Sequence, residues 1–156
     1  TMKLTAFTDY SLRVLIYLAA EPGRRATIAE IAGAFDVKEN HLTKVVHFLG
    51  KIGVLANVRG KGGGLELALP ADRIVIGHVV RETEGADVVA ECFGDDANHC
   101  SIARVCRLRG VLGEALAAFY AVLDRYTLAD LVQNRATLSR VLLIGSDASA
   151  ARRPHA

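Results

Sequence analysis

From residue 7 to residue 20 the apolar side chains Leu12, Leu15, Ile16 and Ala19 recur at helical spacing. Phe7, Tyr10 and Val14 widen that face, so the pattern predicts a first helix. Asp9 falls in its first turn, where a carboxylate ordinarily answers the helix dipole, and Glu21-Pro22-Gly23 ends it. Thr27-Ile28-Ala29-Glu30 has the form of a capping box, with the Thr side chain serving an N-terminal amide and Glu30 reaching back. The short helix that follows turns Ile28, Ile31, Ala32 and Phe35 inward. After a break near Asp36 and Val37, a further helix through residues 40–49 puts Leu42, Val45, Val46 and Leu49 on the core side and Asn40, His41, Thr43, Lys44 and His47 on the polar side. Two short helices joined by a tight turn make a helix-turn-helix. That polar face carries groups able to reach phosphates and base edges in a major groove, although an ordinary solvated face has the same appearance.

The period then changes from helical to alternating. Residues 53–58 and 65–69 read as two short strands, the second alternating Leu65, Leu67 and Leu69 with Glu66 and Ala68. Arg59-Gly60-Lys61-Gly62-Gly63-Gly64 lies between them, and its glycines allow a sharp tip that approaches a duplex closely, with Arg59 and Lys61 supplying positive charge. The segment lacks the glycine spacing and the Ser or Thr of a phosphate-binding P-loop. A helix-turn-helix followed by a basic, glycine-tipped hairpin is a winged helix. Past Pro70, a helix over 76–84 leads toward the cysteines. Beyond them Leu108, Val111, Leu112, Ala115, Leu116, Phe119, Val122, Leu123 and Tyr126 hold helical spacing for about five turns. With Ala117, Ala118 and Ala121 added, this surface is wider than one small head can cover, and a second copy of the chain is the economical cover. Thr127-Leu128-Ala129-Asp130 is another box-like cap, opening a short last helix to about Val132.

The fold expected is therefore mainly α: a winged helix-turn-helix over residues 2–73, a linker helix and cysteine-rich loop over 74–106, a dimerisation helix and C-terminal helix over 107–144, and a disordered tail over 145–156. Thr1, ahead of Met2, reads as an expression remnant outside the fold.

Composition adds three points. With 51% hydrophobic and 23% charged residues in 156, the chain can bury a core and is not disordered. Residues 1–73 carry a net charge of +3 and residues 74–156 a net charge of −1, so the front half admits a nucleic-acid partner. No apolar run approaches the roughly 20 residues that span a bilayer, and no secretory leader pattern is visible, which points to the cytoplasm and no membrane partner.

All three cysteines, Cys92, Cys100 and Cys106, fall within one short stretch, with seven and five residues between them. Asp95, Asp96, Asn98 and His99 make that stretch too polar for a core, and an odd count without an oxidising compartment argues against disulfides. Three converging thiolates completed by a non-thiolate group can hold an iron–sulfur cluster. Structural zinc on Cys92, His99, Cys100 and Cys106 is the competitor, although zinc sites usually include a ligand pair two to four residues apart. Glu91, Asp95, Asp96 and His99 are all local candidates for a fourth ligand. No Ser/His/Asp set and no base placed for a cysteine nucleophile point to an enzyme.

Several stretches resemble the nitric-oxide-sensing NsrR repressors among the Rrf-type winged-helix regulators. They are Met2-Lys3-Leu4-Thr5-Ala6-Phe7-Thr8-Asp9-Tyr10, Asn40-His41-Leu42-Thr43-Lys44, Val58-Arg59-Gly60-Lys61-Gly62-Gly63-Gly64, Ile76-Gly77-His78-Val79-Val80-Arg81-Glu82, Cys106-Arg107-Leu108 and Tyr126-Thr127-Leu128-Ala129-Asp130-Leu131-Val132. The resemblance spans residues 2 to about 144. It implies a homodimer in which Cys92, Cys100 and Cys106 of one subunit bind an iron–sulfur cluster, [4Fe–4S] before [2Fe–2S], and Asp9 of the other subunit is the fourth ligand. It further implies a repressor that leaves a palindromic operator in double-stranded DNA when nitric oxide attacks the cluster, derepressing nitric-oxide detoxification genes. A regulator of iron–sulfur supply or redox state on the same fold, and a zinc-stabilised DNA-binding protein without sensing chemistry, are the alternatives. Two features depart from the family: the first cysteine gap is longer, and Lys38 stands where a small capping residue is usual.

Overall fold

The computed structural model describes residues 4–85, 101–102, 105–142 and 144. Helix α1 runs Ala6–Ala20, α2 Ile28–Phe35 and α3 Glu39–Lys51, followed by strands β1 (Leu55–Val58) and β2 (Gly64–Leu67). A 3₁₀ turn at Ala71–Arg73 leads to α4 (Ile76–Glu84), and α5 (Arg107–Leu123), α6 (Leu128–Leu131) and α7 (Arg135–Val141) complete the described chain.

The apolar periodicity accounts for the packing. Val14, Leu15 and Leu18 of α1, Ile31 of α2, Leu42, Val45 and Leu49 of α3, Leu65 of β2, Val79 and Val80 of α4, and Leu128 of α6 are buried together in one core. Helix α1 is its centre and packs against α3, α4, α6, α7 and β2. Two polar side chains are buried on it, and both are satisfied. The Ser11 hydroxyl donates to the Phe7 carbonyl at 2.7 Å, and the Thr8 hydroxyl donates to Thr83 of α4 at 2.8 Å.

Local chemistry sets the helix starts. Thr5 caps α1 by accepting from the Thr8 amide, and Thr27 caps α2 by accepting from the Glu30 amide at 3.1 Å. Glu30 does not reach back to its own cap as the capping-box pattern predicts. Its carboxylate instead takes a two-pronged bond from Arg24 at 2.7 and 2.8 Å, and the Tyr17 hydroxyl donates to it at 3.1 Å. A charge-assisted fork outcompetes a single neutral amide. Lys38 leads into α3 without a side-chain cap. At Thr127 the box does close, Asp130 accepting from the Thr127 amide at 2.8 Å.

The hairpin is antiparallel, pairing Leu55 with Leu67 and Val58 with Gly64. Ala26 adds a bridge to Leu65, so the segment before α2 lies alongside the wing. Strand β2 stops at Leu67, two residues short of the alternating pattern, and Leu69 is exposed as the chain turns at Pro70. Helix α5 likewise stops at Leu123, before Tyr126, whose carbonyl accepts from the Ile76 amide at 2.9 Å. That bond and its neighbour, Leu128 to Ile74, fasten the start of α4 to the start of α6.

Helix α5 contains no buried residue. One side, through Phe119, Tyr120 and Leu123, packs partly on the core. There Arg81 of α4 forms a fork with Asp124 at 2.6 and 2.7 Å and lies over the Tyr120 ring. Gly77 makes this approach possible, because a Cβ on it would collide with the Asp124 carboxylate. The adjoining side leaves Leu108, Val111, Ala115, Ala118 and Val122 exposed, spaced alternately by three and four residues in the manner of a coiled-coil seam. No helix among the described residues is long and apolar enough to cross a membrane.

Candidate nucleic-acid interface and cysteine site

Helix α3 carries the first set of candidates. Its buried side is Leu42, Val45, Val46 and Leu49, so Asn40, His41, Thr43, Lys44 and His47 are left exposed on the other. The Thr43 hydroxyl donates to the Glu39 carbonyl at 3.0 Å, while the His41 ring stands 6.1 Å from that of Tyr10 on α1. Phe7 meets Phe48 edge-on at 5.4 Å, a second ring contact between α1 and α3.

Arg59 and Lys61 stand exposed at the hairpin tip. The tip closes through the Gly63 amide, which donates to the Gly60 carbonyl at 3.0 Å. A Cβ on Gly63 would run into the Val58 carbonyl and lie 2.8 Å from that of Gly60, so only glycine closes this turn. At Gly62, φ is +77°, a conformation that side chains oppose.

Electrostatics at the base of the head centre on Glu30. Arg24 holds its carboxyl below the usual carboxylate range, aided by Tyr17. Burial, reinforced by the neighbouring Glu30 charge, pushes the Tyr17 phenol up to about 12. Between α4 and α5, Arg81 lowers Asp124 in the same way.

Of the metal candidates, Cys92, Cys100, Glu91, Asp95, Asp96 and His99 lie outside the described residues, as does the 145–156 tail. Cys106 is a free thiol, half-buried at the N-cap of α5. Asp9 sits on α1 with its carboxylate 48% exposed and paired with Arg13 one turn on at 2.9 Å. Among the described residues no three His, Cys, Asp or Glu side chains converge within the protomer.

A helix-turn-helix whose second helix turns its polar side outward beside a basic hairpin defines the winged-helix class of DNA-binding regulator. The sequence matches the Rrf2 family, described as an iron-dependent transcriptional regulator, over residues 4–134, and the chain belongs to that family. It is 50% identical over 142 residues to the HTH-type transcriptional regulator NsrR of Bacillus subtilis, covering 90% of this chain and 97% of that one. The NsrR of Geobacillus kaustophilus is 49% identical over the same length and shares. Among solved structures, oxidised Staphylococcus aureus CymR is 25% identical with a TM-score of 0.68, covering 85% of this chain and 97% of that one. T. potens IscR, 22% identical over 99% of this chain and 94% of that one, shares the fold with a TM-score of 0.69. The chain is thus a transcriptional regulator and not an enzyme.

Sequence reading missed the Arg24–Glu30–Tyr17 cluster, the Arg81–Asp124 fork and the two ring contacts between α1 and α3. Arg81 lies within a motif visible in the sequence, but its partner is 43 residues away and has no local signature.

Proposed function

We propose that the chain is a cytoplasmic, homodimeric repressor that binds a palindromic operator and releases it in response to nitric oxide. Cys92, Cys100 and Cys106 of one subunit hold an iron–sulfur cluster, [4Fe–4S] in preference to [2Fe–2S], and the partner subunit's Asp9 completes the shell. The observation that carries this reading is the 50% and 49% identity to NsrR regulators over nearly the whole chain. The described donors fit such a group. Cys106 is an unbridged, partly accessible thiol, and the Asp9 carboxylate stands outside the core, where another protomer can reach it.

When bound, the cluster would supply an iron whose carboxylate ligand is harder and weaker than thiolate, and so the corner open to nitric oxide, a strong iron ligand. The chain's own residues do the rest. Arg13 pairs with the Asp9 carboxylate at 2.9 Å, a partner that Asp9 would have to give up in order to serve as a ligand. Helix α1, which carries Asp9, touches α3 through Phe7–Phe48 and Tyr10–His41, so a shift of α1 displaces the face that meets DNA. Half-sites lie about 34–36 Å apart or a multiple of that, so small changes in head separation weaken binding. A coupling of about 1–3 kcal/mol is enough for a 5–150-fold change in affinity.

The test is operator binding by anaerobically reconstituted protein before and after stoichiometric nitric oxide, with iron and sulfide assays on the wild type and Asp9→Ala. Release by nitric oxide, together with an altered or labile cluster in Asp9→Ala, is expected. Equal binding before and after exposure, or zinc in place of iron, overturns the proposal.

A further inference from the structure

We propose that Arg25 is the residue that positions the wing for DNA, an inference resting on the reading that the wing meets the duplex. The hairpin is short, only four paired positions long, and an isolated two-stranded ribbon of that kind is marginal in water. Its tip is mostly glycine, so side-chain packing within the tip does little to fix its direction. Arg25, on the segment before α2, reaches across to it. Its Nε donates to the Glu66 carboxylate on β2 at 3.0 Å, and its Nη1 donates to the Gly62 carbonyl in the tip at 3.0 Å. Just beneath, the Ala26 amide donates to the Leu65 carbonyl at 3.1 Å and the Leu65 amide donates back at 2.7 Å. Gly64 allows this approach, since a Cβ there would sit 3.0 Å from the Ala26 carbonyl and 3.2 Å from the Arg25 Cβ.

The two adjacent arginines divide the work. Arg24 is committed inward to Glu30, and Arg25 outward to the wing. Because Glu66 already answers the Arg25 charge, the guanidinium acts as a brace on Gly62, and Arg59 and Lys61 make the contact with DNA. A lysine cannot replace it, because one ammonium lacks the planar fork that reaches a carboxylate and a carbonyl together.

A double-mutant cycle on the full-length protein tests this, with a duplex selected by the wild type from a random pool as the probe. Arg25→Ala is expected to weaken binding at least about fivefold. It should also flatten the dependence of log affinity on log salt by about 0.9 for each phosphate that the displaced wing no longer neutralises. In the Arg59→Ala, Lys61→Ala background the same substitution is expected to change affinity by less than about twofold. An undiminished loss in that background overturns the inference, since Arg25 would then act on DNA or on the fold by itself. Full binding by Arg25→Lys overturns it as well, because charge alone would suffice; this variant also decides the matter should Arg25→Ala melt. If the Arg59→Ala, Lys61→Ala protein binds like the wild type, the wing reading fails first and the brace with it.

Discussion

The substitution Val111→Glu asks whether a second protomer covers the exposed seam of α5. Leu108 and Val111 are each 59% exposed and Val122 is 45% exposed. Full burial of one such side chain contributes about 1.5–3 kcal/mol, so covering the exposed share of all three stabilises a dimer by roughly 5–10 kcal/mol over both copies. Association costs about 4–15 kcal/mol in lost freedom, which leaves the dimer sensitive to a single change at the seam. Removing the Val111 contribution from both chains forfeits roughly 2–3.5 kcal/mol. At about 1.4 kcal/mol per decade, the dissociation constant rises by roughly 20–300-fold before any repulsion between the two carboxylates is counted. Sedimentation equilibrium across a concentration series reads this directly. Gln133→Glu, exposed between α6 and α7 and off α5 altogether, is the control and leaves the constant unchanged. If Val111→Glu dimerises as tightly as the wild type, the seam is not the interface.

Three other outcomes follow from the packing. Because Glu30 titrates below its ordinary value in the folded chain, its contribution is present above about pH 4.5 and lost as pH falls through the folded value. For Tyr17 the folded value of about 12 lies above the ordinary 10.0, so that contribution is lost as pH rises between the two. Denaturant titrations across pH should show Glu30→Gln flattening the acid limb and Tyr17→Phe the alkaline limb, and parallel curves would refute the assignment. Leu128→Ala empties a fully buried site under α1 at a cost of about 2–5 kcal/mol, read as a melting temperature lowered by roughly 5–15 °C; a drop within about 2 °C would show that the site collapses freely. Gly63→Ala forces a Cβ against two wing carbonyls, so DNA binding should fall while the helical circular dichroism persists, and unimpaired binding would contradict the turn geometry.

Helices α1 to α4 were legible because each buries one regular stripe, and the hairpin because its period and glycines differ from everything around it. What escaped was decided by partners distant in sequence. Glu30 abandons its predicted capping role because Arg24 offers a charged fork, and Arg25 finds Glu66 41 residues away. Helix α5 ends early because the Tyr126 carbonyl is taken by Ile76, a partner no local pattern announces. Within α7 only Leu138 packs against the core, with Leu142 and Ile144 just past its end, too few to form a visible stripe. The apolar surplus of α5 reads as an interface from its pattern alone, and the structure leaves that side uncovered within one protomer.

On the proposed reading of Asp9 as a ligand, helix α1 is the element that would receive the signal, and its bonding determines how that signal would travel. At its N-terminus, the Thr5 amide donates to Glu84 at 2.8 Å while the buried Thr8 hydroxyl bonds Thr83, so α1 is pinned to the end of α4. Beside these bonds, Phe7 and Tyr10 bear on Phe48 and His41 of α3. Close-packed interiors shift as units because they have few voids to absorb a displacement. A pull on Asp9 therefore moves α1 with α3 and does not slide α1 past it. The contact that yields is the more exposed Arg13 pair, whose two charges are screened by water and are individually weak. The same reasoning assigns Phe48→Leu a defined effect: it keeps an apolar side chain at a half-buried position of α3 but removes the ring on which Phe7 bears. Such a variant should bind operator in its ground state yet respond less to nitric oxide, and an undiminished response would show that the signal reaches α3 by another route.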